Sequence, residues 1–208
     1  TIIPSYNFNK TFALSTKTII IKENTGAKAT KASDTKVILG ITGASLTDTL
    51  KTTHALIGSL PTSETSQKRD RLKGGVAVAS GLTLTTKYIA VAYQLTLSRN
   101  FHEYTFNAEG NSNVEYRTGH SLEVKLPVTE KLYFTSLNIY RVGTTYGGTQ
   151  KTNFETHNDI NYDLTKNLSA NIGTSNDGDA LKSNGVDSNI SAYSENTSVT
   201  RTGLSYVY

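Results

Sequence analysis

Apolar and polar residues alternate with a period of two along most of the chain. That period belongs to strands with one face in an apolar medium and the other near water. Val76, Val78, Leu82 and Leu84 mark one face of a strand that ends at residues 85–87, and Ile89, Val91, Tyr93, Leu95 and Leu97 mark the next. A third strand sets Tyr116, Leu122, Val124 and Leu126 against Glu115, Arg117, Gly119, Ser121, Glu123 and Lys125. After a fourth strand over 131–146, a fifth sets Phe154, Ile160, Tyr162 and Leu164 against Glu155, His157, Asp159, Asn161 and Asp163. Leu168, Ala170 and Ile172 carry the sixth. In the last, read over 190–208, Leu204, Tyr206 and Tyr208 share a face opposite Arg201, Gly203 and Ser205.

Short turns at 85–87, 127–130 and 165–167 are mostly interleaved with longer polar loops, and Pro127 suits a strand end. The first 74 residues are less regular. One strand is expected from Tyr6, Phe8, Phe12 and Leu14 onward, with two more over 36–46 and 51–60 around a turn at Thr47 and Asp48. Three strands here and seven later predict about ten, an even number that puts both termini on one side. Eight or twelve also fit, since one hairpin in this third changes the count.

Strands of this kind with no helix to cover them form either a sandwich around a dry core or a barrel whose apolar face points into lipid. Apolar residues make up 36% and charged residues 18% of the 208 residues, so the chain is dominated by uncharged polar groups. A barrel with a wet lumen tolerates that composition better than a packed core does. Four ionisable groups on one strand face, Glu155, His157, Asp159 and Asp163, would also be costly in a dry sandwich. Several strands reach the nine to eleven residues needed to span a bilayer at a tilt. The expected fold is therefore all-β, an antiparallel up-and-down transmembrane β-barrel forming a single domain over 1–208. No apolar run is long enough for a transmembrane helix, and with no recognisable secretory signal the chain reads as a mature or processed form.

Alternating amphipathic strands, short turns, longer polar loops and an aromatic-terminated last strand resemble Gram-negative outer-membrane β-barrel proteins. The resemblance implies an outer-membrane location, contact with outer-membrane lipid and lipopolysaccharide, and a monomer. It also implies that Leu204, Tyr206 and Tyr208 are the signal read by the barrel-assembly machinery, with Tyr in place of the commoner terminal Phe.

Candidate chemistry adds little to this. The chain has no Cys and four His, and it carries no nucleotide, zinc or serine-hydrolase motif, so no cofactor, metal or nucleic acid is expected. Glu115, Arg117, Glu123, Lys125, Glu155, His157, Asp159, Asp163 and Arg201 are the candidates for a polar lumen. The acidic series Glu155, Asp159 and Asp163 could attract cations, whereas pairing with Arg117, Lys125 and Arg201 would close the interior. The basic segments 28–36 and 68–73 could meet anionic lipid or a surface ligand. The sequence thus predicts a small non-catalytic barrel acting as a surface scaffold or narrow passage. Three alternatives stay open: a loop-mediated adhesin, a barrel-embedded hydrolase using Glu155, His157 and Asp159, and a soluble secreted β-sandwich.

Overall fold

The computed structural model describes residues 1–22, 30–182 and 184–206. In chain order the strands are β1 (Ser5–Asn7), β2 (Phe12–Lys17), β3 (Ile20–Lys22), β4 (Thr30–Ala32), β5 (Thr35–Ser45), β6 (Leu50–Leu60) and β7 (Leu72–Thr85). They continue with β8 (Ala90–His102), β9 (Val114–Pro127), β10 (Leu132–Thr145), β11 (Gln150–Asp163), β12 (Leu168–Asp179) and β13 (Val199–Tyr206). A single π-helical turn, Thr65–Arg69, interrupts the β6–β7 connection. Eleven strands form one antiparallel sheet in the order β1-β2-β5-β6-β7-β8-β9-β10-β11-β12-β13, while β3 and β4 pair as a two-stranded ribbon. No described helix is long and apolar enough to cross a membrane.

The sequence expectation of one strand through residues 6–14 fails at Asn9. Its side-chain oxygen accepts the backbone N–H groups of Thr11 (2.7 Å) and Phe12 (2.9 Å), a local turn that folds the segment into the β1–β2 hairpin. The main sheet therefore has eleven strands where about ten were expected. Because every neighbouring pair is antiparallel, an odd count makes β1 and β13 run in the same direction. The last strand is also shorter than expected, since 190–198 stays outside the ladder and pairing with β12 begins at Val199. Leu204 and Tyr206 share the exposed face of β13. Tyr208 lies outside the described residues.

Alternation decides the two faces as the sequence pattern implied. Leu39, Leu56, Val78 and Leu97 face one another across β5–β8, as do Phe134, Ile160 and Ile172 across β10–β12. Most of these are among the exposed large apolar side chains, with Val78 at 50% and Ile160 at 54%. Apolar surface of this extent marks a face that meets lipid or a protein partner. β7 to β11 have 13 or 14 residues each, about 45 Å of strand, or roughly 35 Å of height at a tilt near 40°.

The opposite face is concave. Lys36 on β5 lies within electrostatic reach of Arg117 on β9, Arg141 on β10 and Glu155 on β11. In a flat sheet those strands would stand roughly 20–30 Å from β5. The sheet must curl to bring them together, with the polar face inside. Ala79, on that inner face, is only 4% exposed although its side chain is a single methyl group.

Candidate functional site

The inner wall divides by side-chain size. Along one hydrogen-bonded row run Gly40, Ala55, Ala79, Thr96 and Gly119, and the same row then meets Arg141, Asn153 and Asp179. Small groups on β5–β8 thus leave space that long charged groups on β9–β13 occupy.

Of the residues singled out in the sequence, Arg117, Glu123, Lys125, Glu155, His157, Asp159, Asp163 and Arg201 alternate onto this inner face. Glu115 does not join them. Between the pairs Tyr116–Thr144 and Val114–Thr145 it is the extra residue of a β-bulge, and a bulge re-aims its side chain. Its carboxylate accepts two bonds from Arg99, at 3.1 and 2.8 Å. The Arg99 guanidinium lies 5.2 Å from the ring centres of both Phe101 and Tyr116, an exposed aromatic pair at the end of the outer wall.

Two ion networks hold the acidic series. Glu155 accepts a 2.6 Å bond from Arg141 Nη2 and lies 2.6 Å from His157 Nε2. Asp159 is paired with Arg201, whose Nε donates at 3.0 Å, and Asn171 Nδ2 donates at 3.3 Å to the same carboxylate. Arg201 reaches Asp159 across Gly173, which sits between them in the row. A Cβ at Gly173 would overlap the Asp159 carboxylate, so only glycine leaves the ion pair its path. Lys125 Nζ sits 3.6 Å from the Tyr133 ring centre, a cation–π contact.

The hydrolase geometry does not assemble from these residues. Asp159 is engaged by Arg201, and His157 bonds to Glu155 in the opposite direction along β11. Among the described residues no hydroxyl bonds to His157, whose buried Nδ1 has no partner, nor does the buried Asn153 Oδ1. No group of three metal-ligating side chains is found among the described residues.

Sequence reasoning overlooked the cations on the facing wall. Lys17 and Lys36 stand directly opposite each other in the β2–β5 ladder, an unfavourable like-charge pair. Arg117 and Arg141 approach from across the interior. Among the described residues, Lys17, Lys36 and Arg117 have no carboxylate within salt-bridge distance, and Arg141 shares its carboxylate with His157. In the sequence Lys36 reads as the end of the basic segment 28–36 and the start of a strand over 36–46, with no inward position assigned to it. Its inward position depends on curling, which no local pattern encodes.

At the same end of the strands as Lys36, the basic segment 68–73 is largely neutralised. Lys68 pairs with Glu64, Arg69 with Asp70, and Lys73 with Glu103. The 61–71 and 103–113 connections are stitched by Ala108 N–H to Arg69 C=O (2.8 Å), Glu103 N–H to Arg71 C=O (2.8 Å) and Asn113 Nδ2 to Asp70 C=O (3.1 Å). Residues 23–29, which include Lys28 of the other basic segment, lie outside the described residues.

No protein-family model and no curated protein matches the chain. Among solved structures the chain is similar to the NanC porin, with a TM-score of 0.61 at 13% identity, covering 99% of this chain and 98% of that one. The likeness therefore concerns the whole fold, an all-β antiparallel sheet similar to that of a porin.

Proposed function

We propose that the chain is a non-catalytic, monomeric outer-membrane β-barrel of a Gram-negative bacterium, forming one domain with a narrow passage that favours small anions. The observation that carries it is the inner cluster of Lys17, Lys36, Arg117 and Arg141 around a single carboxylate that is already bonded. A ring of incompletely paired cations in a confined interior attracts anions and repels cations. The acidic series that suggested a cation bias is largely used up, with Glu155 and Asp159 each held by arginine. The exposed aliphatic wall, the strand lengths and the likeness to a porin support the membrane setting.

In hydrocarbon an open sheet edge leaves backbone groups unpaired, so β1 and β13 close on each other in this reading. They would pair in parallel, as an odd number of successively antiparallel strands requires. Leu204, Tyr206 and Tyr208 serve as the signal for the barrel-assembly machinery.

Reversal potentials across planar bilayers in a salt gradient test the reading. The purified protein should pass small, anion-biased currents, and Lys36→Glu with Arg117→Glu should invert the bias. A cation preference in the unaltered protein, or an unchanged preference in the double variant, would refute it. A chain that stays monomeric and soluble after detergent removal would refute the membrane setting itself.

A further inference from the structure

Arg117 lies half-buried on the inner face of β9. Among the described residues its guanidinium donates no hydrogen bond and makes no ion pair. A fork of N–H donors held partly out of water without an acceptor is costly. In the β9–β10 ladder Arg117 pairs with Gly143 and Gly119 with Arg141, so the two arginines are diagonal neighbours on one face. Such positions stand about 7–8 Å apart, and side chains this long reach one small ligand from both. Arg141 gives Glu155 a single bond, from Nη2, and keeps its other donors.

Lys17 and Lys36 come to the same place from β2 and β5. They face each other in the ladder, and Lys36 lies within electrostatic reach of both arginines. The wall between Lys36 and Arg117 carries Ser59, Gly75, Ala77 and Ser98, which leave room above them. All four cations stand near the strand ends from which the 61–71 and 103–113 connections emerge. The acids that neighbour this cluster in register, Asp177 and Asp179, stand on β12 beyond Glu155 and Asn153 and are exposed, which leaves an anion the β5 and β9–β10 side.

We infer that these four cations form a saturable site for one compact tetrahedral dianion, of the phosphate or sulfate class, at the loop end of the passage. The inference deepens the anion-passing reading and rests on it. A chloride ion answers only one of the converging charges. A dianion with four oxygens offers acceptors to both guanidinium forks and to the ammonium groups at once. A dicarboxylate of equal charge spreads that charge over two separate planar groups and meets fewer of the cations at one point.

The test is titration calorimetry of the full chain in mild detergent, at low ionic strength and at a pH where phosphate is a dianion. Inorganic phosphate, sulfate, methyl phosphate and malonate are the titrants. One phosphate or sulfate per chain is expected, bound at least tenfold more tightly than malonate. Arg117→Gln and Lys36→Gln should each weaken binding at least fivefold, and Arg117→Lys, which keeps the charge but loses the fork, should fall between Arg117→Gln and the unaltered chain. Lys125→Gln, at the other end of β9, should leave binding unchanged. Methyl phosphate bound as tightly as phosphate extends the site to phosphate esters, and its exclusion confines the site to the free ion. Absence of saturable binding, malonate bound equally well, or equal weakening in Lys125→Gln would overturn the inference. Heat-modifiable gel migration confirms that each variant is folded. Reversal potentials on the same samples report on the passage separately: an anion bias without phosphate binding removes the site and leaves the passage, and phosphate binding without an anion bias does the reverse.

Discussion

The two walls of the sheet solve opposite problems. On β5–β8 the outer face is an aliphatic surface, Leu39, Leu56, Val78 and Leu97, and the inner face is small, Gly40, Ala55 and Ala79. On β10–β13 the outer face is interrupted by a polar stripe, and the inner face carries the large ion networks. Asn158 Nδ2, Thr156 Oγ1, Asn138 and Ser136 Oγ form a hydrogen-bonded chain along the outside, with contacts of 3.4, 3.1 and 3.1 Å. The difference teaches how the curled sheet divides its two tasks. One wall supplies an exposed aliphatic surface and interior space, and the other fills that space with charges whose outward neighbours satisfy one another or are covered by residues 190–198, a strap that Asn176 ties to the wall through Ser191 and Thr197.

An arginine on each outer wall should break this comparison most sharply. Val78→Arg near mid-height of the aliphatic wall is expected to cost about 2–4 kcal/mol, whereas Asn158→Arg should cost roughly half of that or less, because polar partners already surround it. Urea unfolding midpoints of protein refolded in lipid vesicles measure both. Equal losses would remove the distinction between the walls.

Inside, Gly173→Val should cost about 1–3 kcal/mol by overpacking against Asp159. Arg201→Leu should cost less than the loss of a dry pair, since Arg201 is partly hydrated. The same unfolding series checks the order, and an Arg201→Leu loss exceeding that of Gly173→Val would contradict it.

Releasing the strap should matter less. Asn176→Ala removes one side chain's bonds to Ser191 and Thr197 and is expected to destabilise by about 1–2 kcal/mol, with proteolysis between 188 and 198 becoming faster. Unchanged cleavage would show that the strap is held elsewhere. The smallest effect sharpens the outer stripe: Thr174→Val with Thr200→Val should stabilise the fold by up to about 1 kcal/mol, read as a higher urea midpoint, if these hydroxyls meet lipid.

Alternation by itself determined most of the strands from 75 onward and, Glu115 apart, which of their residues lie on each face, because the period of two is a local property of the extended backbone. Arg117, Glu155, Asp159 and Arg201 were therefore recognisable as members of one polar face from the sequence. Three features needed the tertiary structure. Asn9 ends a strand through its own side chain, a competition between local bonds that hydropathy does not register. Glu115 leaves its face because a bulge shifts the register once, a choice made between two strands. The charge of the interior depends on which residues meet across it. Glu155 finds Arg141 on the next strand and Asp159 finds Arg201 two strands away, while Lys17 and Lys36 find each other. Such encounters between strands distant in sequence are set by register and curvature, which arise only when the whole sheet has formed.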